Sequence, residues 1–287
     1  MSEPVDELVD GFTRLRLDFG YDGTDFYGWS KQPDLRTIQG EYIKALTLIF
    51  GEDDNGFGLR VAGRTDAGVH AVGCVLHMDL SDAQMKRLGR NDSMEDIAYK
   101  LNNLLPIDIR VNKVSIAPAG FDARFSPIYR RYEYRITDAS SIRDPRTRHY
   151  TLWMDDVLDV ERMNEAAQSL LGLHDWTTYC KPREGATRVR DLQKFDWHRD
   201  ENGVLVASIQ ADAFCYNMVR NLVGVCVAVG RGRLEPGDAV TLRDQRVRTA
   251  AFAVLPPQGL TLSEVGYPDA AELAIRAEQA RRRRDPV

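Results

Sequence analysis

The sequence predicts an α+β fold in which two similar α/β halves share a central, mainly antiparallel sheet flanked by helices. Three observations indicate this class: alternating apolar segments typical of half-buried strands, segments with one apolar helical face, and a second round of the same signals. The 287 residues, 43% of them hydrophobic, can bury one large core or two ordinary domains. No apolar run approaches the ~20 residues that a membrane span requires, so we expect no membrane segment.

The first round predicts strands at 12–20, 72–80 and 109–116 and helices at 37–50 and 94–105. Leu15, Leu17 and Phe19 recur with the period of two that is typical of a strand. Thr37 can cap the first helix, and Pro106 ends the second.

The second round predicts strands at 129–137, 192–197, 204–211 and 260–265 and helices at 160–171, 216–229 and 237–250. Gly172 is expected to close the helix at 160–171. The helix at 216–229 is strongly apolar, with Met218, Leu222 and Val225 on its buried side.

These signals divide the chain into a leader at 1–11, an N-terminal half at 12–120, a C-terminal half at 121–268 and a polar, basic tail at 269–287. The leader carries acidic and no basic residues, the opposite of a signal peptide, and we expect it to be disordered. The tail is compatible with a helix and ends in Arg281–Arg284, which favours a solvated or disordered segment over an RNA contact.

The cysteines Cys74, Cys180, Cys215 and Cys226 are widely spaced and form no CxxC pair. This pattern predicts buried, reduced thiols in a cytoplasmic protein and indicates neither disulfides nor zinc. The five histidines are scattered, so no metal site is predicted.

A net charge of −5 argues against indiscriminate nucleic-acid binding, which depends on neutralising phosphates. The stretch 121–150 nevertheless holds seven arginines against four acidic residues, interleaved with Tyr129, Tyr132, Tyr134 and Tyr150. Arginine forks beside aromatic rings are typical of an RNA-contacting surface. The alternative is the solvated face of a β-hairpin.

The most informative stretch is 63–70, with the sequence GRTDAGVH. Asp66 lies in a turn bounded by glycines, two residues after Arg64, and a strand follows. Alone, such a turn fits an ordinary surface loop as well as a functional carboxylate.

The motifs together resemble the tRNA pseudouridine synthase A family. Each motif is weak by itself, but eight in the family's order cover the chain from about residue 12 to 268. The matching stretches are 21–29 (YDGTDFYGW), 37–39 (TIQ), 63–71 (GRTDAGVHA), 101–110 (LNNLLPIDIR), 121–126 (FDARFS), 130–134 (RRYEY), 217–224 (NMVRNLVG) and 259–268 (GLTLSEVGYP). Departures occur at Cys215-Tyr216, in 181–189 and after Ala270.

The resemblance implies an isomerase that converts uridine to pseudouridine in the tRNA anticodon stem-loop, at tRNA positions 38 to 40. It further implies a homodimer without metal or cofactor, with the active cleft between its two halves. Asp66 takes the role of the catalytic residue, and Arg220 is expected to pair with that carboxylate. Tyr132 is expected to stack on the target base, and Arg64 to help hold the flipped nucleotide.

The chemistry is consistent with these roles. A carboxylate can attack the sugar C1′, attack the base C6 or abstract a sugar proton, and the sequence leaves all three routes open. A uridine in a stem must leave the stack, and an aromatic ring can replace its stacking. Arg124 and the pair Arg130 and Arg131 suit the neighbouring phosphates, although adjacent strand residues point to opposite faces, so we expect one of the pair, Arg131, at the substrate.

Two other functions compete with the isomerase. A non-catalytic tRNA-binding or RNA-folding protein would use the arginines and Tyr132 but would not need Asp66. An aspartate-dependent hydrolase would need a second carboxylate, and none accompanies Asp66 in its motif. A nucleotide cofactor is disfavoured because the sequence contains neither GxGxxG nor GxxxxGK[ST].

Overall fold

The computed structural model describes residues 11–87, 93–182 and 187–281. The chain is mixed α and β, with mainly antiparallel strands flanked by helices, which confirms the predicted class. In the described ranges it forms two compact units. The first unit ends at Ile128 and resumes at Glu264, and the second runs from Tyr129 to Ser263.

The elements follow in chain order. The chain up to Ile128 contains β1 (Phe12–Tyr21), α1 (Ile38–Phe50), β2 (Arg60–Val61), β3 (His70–Ser81), α2 (Asp82–Arg87), α3 (Met94–Leu104) and β4 (Ile109–Ile116). There follow β5 (Tyr129–Thr137), β6 (Leu152–Trp153), α4 (Val160–Ser169), β7 (Gly172–Asp175), β8 (Val189–Arg199), β9 (Leu205–Ala211), α5 (Met218–Gly230), α6 (Asp238–Gln245), β10 (Leu260–Gly266) and α7 (Leu273–Arg281).

The strands β4, β1 and β3 form the sheet of the first unit in that order, and β2 pairs with β3. Every pair is antiparallel, with Leu17 opposite Leu76. Leu15, Leu17 and Phe19 are fully buried, as the alternation predicts. Phe19 packs edge-on against Tyr42 of α1, with ring centroids 5.3 Å apart.

Local capping fixes the helices of the first unit where the sequence predicts them. The Thr37 side chain accepts a hydrogen bond from the Gly40 N–H at 3.2 Å, which satisfies a backbone donor at the start of α1. Ser93 and Asp96 form a reciprocal capping box at the start of α3. The short elements β2 and α2 were not predicted, because two to six residues carry too little periodicity.

The boundary between the units differs from the one predicted at Gly120. Residues 121–128 pack within the first unit, where the Ala123 N–H donates to Nδ1 of His77 at 3.0 Å. The predicted tail also differs. Arg281, at the end of α7, donates to Asp122 at 3.0 Å, and Leu273 and Ala277 are buried, so one face of this helix is packed while most of its other residues are exposed. The leader at 1–10 and Arg282–Arg284 lie outside the described residues.

The sheet of the second unit has the order β6, β5, β9, β8, β7, antiparallel except for the pair β5 and β6. Residues 260–263 of β10 lie beside β5. Tyr132 of β5 is opposite Ile209 of β9, and Tyr134 is opposite Ala207. The alternation puts Tyr132 and Tyr134 on the same face of β5.

The helix α5 forms the centre of the second unit. Every one of its residues is buried except Arg220, which is half-buried. This confirms the strongly apolar helix that the sequence predicts. A charged side chain on an otherwise buried helix needs polar partners, which makes Arg220 the residue of α5 that requires an explanation.

Two predicted helix ends are wrong. The helix α4 stops at Ser169, and Gly172, with φ of +109°, begins β7 instead of closing the helix. The helix α6 stops at Gln245 because Arg246 adopts a left-handed conformation, with φ of +54°. Both predictions extended helical periodicity past the residue at which the backbone leaves the helical conformation.

The prediction of four reduced thiols is also wrong. A disulfide joins Cys180 to Cys215, whose Cα atoms are 5.8 Å apart, whereas Cys74 and Cys226 are buried thiols outside the disulfide, as predicted. The disulfide partners are 35 residues apart in sequence and come together because of the tertiary structure. None of the helices in the described ranges has the length and apolar character needed to cross a membrane.

Candidate functional site

The loop between β2 and β3 carries the candidate carboxylate. Asp66 is half-buried, Arg64 is exposed and Thr65 is buried. The Val69 N–H donates to the Asp66 carbonyl at 3.2 Å, so the chain turns tightly directly after the carboxylate. The structure therefore presents Asp66 at a defined turn, as the glycine-bounded motif predicts.

A second loop, residues 22–29, holds the backbone on both sides of Asp66. The Trp29 N–H donates to the Thr65 carbonyl at 3.1 Å, and the Gly68 N–H donates to the Phe26 carbonyl at 3.2 Å. No local sequence pattern predicts this pairing, because about forty residues separate the two loops. Residues 22–29 thus support the loop of Asp66 through their backbone.

Arg124 lies in the same unit as Asp66, in a turn organised by a buried carboxylate. Oδ1 of Asp122 accepts hydrogen bonds from the N–H groups of Arg124 and Phe125, at 2.8 and 3.0 Å. The Arg124 guanidinium lies 4.9 Å from the centroid of the Phe125 ring. The backbone at Arg124 is therefore fixed by Asp122, while its side chain is half-buried.

The tyrosines of β5 have different surroundings. Tyr134 is fully buried, and its hydroxyl donates to the Pro256 carbonyl at 2.8 Å. Burial raises the pKa of Tyr134, and the positive charge of Arg220 opposes that rise. Tyr132 is 8% exposed and meets Phe214 edge to face, with centroids 5.2 Å apart. Tyr134 is thus a core residue, which leaves Tyr132 as the candidate for stacking.

The neighbouring arginines separate onto opposite faces of β5. Arg131 lies on the face away from Tyr132 and donates twice to Oε1 of Gln210, at 3.0 and 2.7 Å. Arg130 shares the face of Tyr132 and donates to the Asp212 carbonyl at 2.8 Å. The structure thus does not bring Arg131 to the same face as Tyr132.

Arg220 is held at the start of α5 by main-chain and side-chain bonds. Its Nε donates to the Leu255 carbonyl, and its own carbonyl accepts from the Leu255 N–H at 3.3 Å. The helix begins after Asn217, which adopts a left-handed conformation with φ of +64°. Asn221 donates to the carbonyls of Tyr179 and Asn217, both at 2.9 Å, and so anchors this first turn.

The candidate residues fall into two sets. Asp66, Arg64 and Arg124 belong to the first unit, and Tyr132, Arg131 and Arg220 to the second. Sequence reasoning missed Phe214, because it stands at the edge of an apolar run and gives no signal of contact with Tyr132. Among the described residues, no cluster of His, Cys, Asp and Glu could hold a metal ion.

Comparisons with known proteins agree with these motifs. A family model described as tRNA pseudouridine synthase matches residues 166–268. The chain is 54% identical to tRNA pseudouridine synthase A of Leifsonia xyli subsp. xyli, over 96% of this chain and 98% of that protein. It is 48% identical to the Streptomyces griseus protein of the same name, over 96% and 95%, and 45% identical to that of Corynebacterium glutamicum, over 93% and 94%.

Proposed function

The chain belongs to the tRNA pseudouridine synthase A family and is an isomerase that forms pseudouridine in tRNA; we propose that its target is the anticodon stem-loop, with Asp66 as the catalytic carboxylate. The observation that carries this proposal is the 54% identity over nearly the full length of both chains, together with the intact GRTDAGVHA stretch at 63–71. The target uridines are tRNA positions 38 to 40.

The reaction is an internal rearrangement. The bond between the sugar C1′ and the base N1 breaks, the uracil turns, and a C–C bond forms from C1′ to C5. The C5 proton is released and N1 regains a proton, so the atoms balance without a cofactor. Asp66 supplies the carboxylate, which serves as a nucleophile toward C1′ or C6 or as a base toward a sugar proton.

Arg220 is the second proposed catalytic residue. It stands in the family's MVRN stretch and is the residue of α5 that is not buried. A positive charge near a carboxylate favours the ionised form that each of the three routes requires. The bonds from Arg220 to Leu255 and the anchored first turn of α5 give that charge a fixed position.

The remaining residues are assigned to the RNA. Flipping the base out of the stack costs a few kcal/mol. The ring of Tyr132 is proposed to replace the stacking that the flipped base loses. Arg64 and Arg124 are proposed to bind phosphates near the flipped nucleotide. Arg131 is proposed to contact tRNA away from the base, because it lies on the other face of β5 from Tyr132. A cytoplasmic homodimer completes the proposal, and light scattering of the purified protein tests the dimer.

Tritium release from tRNA labelled at uridine C5 tests the chemistry. We expect release by the wild type and none by Asp66→Asn, with tRNA affinity retained within a few-fold. Asp54→Asn, at an exposed loop position of the same unit, is the matched control and should release tritium normally. Release by Asp66→Asn contradicts the assigned carboxylate. No release by folded wild type on unmodified tRNA favours a binding protein instead.

Mapping pseudouridine by carbodiimide modification and primer extension tests the target. Stops confined to tRNA positions 38 to 40 support the anticodon stem-loop, and stops elsewhere contradict it. The same reaction with Asp66→Asn provides the background.

A further inference from the structure

Thr65, the residue before Asp66, is fixed through its side chain. Its Oγ1 lies 2.7 Å from the hydroxyl of Tyr21, at the end of β1. Both residues are buried, with 7% and 6% of their surfaces exposed, so this hydrogen bond is shielded from water. A hydrogen bond that is shielded from water is costly to lose, because a hydroxyl left buried without its partner is not rehydrated.

The alternation of β1 brings Tyr21 to this position. Tyr21 is buried at the end of the series Leu15, Leu17 and Phe19, so its side chain lies on the same face of the strand. The register of β1 against β3 shifts between Phe19 and Tyr21, and the extra residue lies on β3, between Ala71 and Cys74. The shift therefore leaves the Tyr21 side chain on the buried face, where its hydroxyl reaches Thr65.

Gly28 fixes the same backbone from the other side. It has φ of +87°, and a Cβ at this position would lie 2.8 Å from the Thr65 carbonyl oxygen and 3.2 Å from the Asp66 carbonyl carbon. Only a residue without a side chain lets loop 22–29 come this close. This approach lets the Trp29 N–H reach the Thr65 carbonyl.

We propose that Tyr21 and Gly28 are positioning residues, which set where the Asp66 carboxylate stands without touching the substrate. This inference rests on the proposed role of Asp66. The aspartate side chain has two rotatable bonds, so its carboxylate follows the backbone at residue 66 closely. The bonds to the Thr65 side chain, the Thr65 carbonyl and the Gly68 N–H fix that backbone. Tyr21 and Gly28 therefore act on turnover rather than on tRNA affinity.

A double-mutant cycle tests the Tyr21–Thr65 contact. Tyr21→Phe and Thr65→Val each remove one hydroxyl with little change of shape, and we expect each to lower kcat by ~10-fold because small displacements of a reacting group are costly. The double variant should lose no more than either single variant, since both remove the same hydrogen bond. Thr65→Ser keeps the hydroxyl and should restore most of kcat. The dissociation constant for tRNA should change by less than about 2-fold in all of them.

Tyr42→Phe is the matched control. Tyr42 is a buried tyrosine of the same unit whose hydroxyl has no hydrogen-bond partner among the described residues. Removing that hydroxyl should leave kcat and tRNA affinity at wild-type values. If Tyr21→Phe behaves like Tyr42→Phe, or if the losses of the two single variants multiply in the double variant, the positioning role is wrong.

Asp66→Asn separates this inference from the proposed function. Tritium release by Asp66→Asn removes the basis for both. An inactive Asp66→Asn together with normal kcat in Tyr21→Phe contradicts the positioning role alone. Loss of tRNA affinity in Tyr21→Phe and Thr65→Val, with kcat unchanged, would instead assign the contact to substrate binding and overturn the inference.

Discussion

The loop of Asp66 and the strand–helix layer of Tyr132 and Arg220 are held in different ways. The backbone on both sides of Asp66 is held by contacts with other backbone atoms, through Trp29, Gly28 and Gly68. In the second unit, Tyr132 packs on the Phe214 side chain, and a disulfide ties the neighbouring Cys215 to Cys180. Backbone contacts leave little room for adjustment, whereas packed side chains can repack. Substitutions in the first region should therefore act mainly on kcat, and those in the second on affinity and stability as well.

Arg220→Leu should give the largest effect and tests whether the second unit contributes a reacting group. We expect kcat to fall by ~10²-fold or more, the size expected when one fixed electrostatic group is lost from a catalytic site. Arg231→Leu is the matched control, because Arg231 directly follows α5 and pairs with Asp156. Single-turnover pseudouridine formation at saturating tRNA measures both. Normal turnover in Arg220→Leu would limit catalysis to the first unit.

Gly28→Ala tests the rigidity of the loop of Asp66. The added methyl group meets the Thr65 carbonyl oxygen, so the Asp66 backbone must shift, and displacement by about 1 Å can cost ~10²-fold in rate. Gly232→Ala is the control, because Gly232 also has positive φ, at +69°, but a Cβ there meets nothing within 4 Å. Both variants place an alanine at positive φ and so have similar backbone strain, but only Gly28→Ala adds a steric clash with the Thr65 carbonyl. Equal kcat in the two variants would refute a rigid support.

Two substitutions of Tyr132 test whether its aromatic ring is the part that the second unit contributes to tRNA binding. Tyr132→Ala should lose ~1–3 kcal/mol of transition-state stabilisation, the value of one base–aromatic stack. Tyr132→Phe keeps the ring and its edge-to-face contact with Phe214, and should retain most activity. The ratio kcat/KM measures the difference. Equal values for the two variants would exclude a stacking role.

Reduction of the Cys180–Cys215 disulfide should have the smallest effect on turnover. In a chain-entropy model, closing a loop over 35 residues stabilises the folded second unit by up to ~4 kcal/mol. We therefore expect a reductant to lower the melting temperature with kcat within about 2-fold of the oxidised protein. Cys180→Ser should have the melting temperature of the reduced protein, and adding the reductant should not change it. Free-thiol titration checks the oxidation state, and four titratable thiols in the unreduced protein would contradict the disulfide.

Strong local patterns predicted much of the fold. The strands β4 and β5 have the predicted bounds, because each combines alternation with turn residues at both ends. The apolar run of α5 predicted both a buried helix and the special position of Arg220. Alternation along β5 also predicted that Arg130 and Arg131 point to opposite faces. Arg131 was the one expected at the substrate, and it lies on the face of β5 away from Tyr132.

Other features depend on residues far apart in sequence. The disulfide, the contact between Tyr132 and Phe214, and the place of residues 121–128 in the first unit each need the folded chain. Gly172 shows the same limit locally, because a glycine after a helical run fits a helix end and a strand start equally well.

The sequence by itself determined the α+β class, most of the longer elements, the family and the identity of the candidate carboxylate. These depend on residue type and short-range spacing, which the chain displays directly. The tertiary structure decided what supports that carboxylate. Tyr21 and Thr65 are 44 residues apart in the sequence, and Gly28 matters because its lack of a side chain lets the backbone at Thr65 and Asp66 come close. Hydrogen bonds and close approaches between distant backbones leave no periodic trace in a sequence, so only the folded chain reveals them.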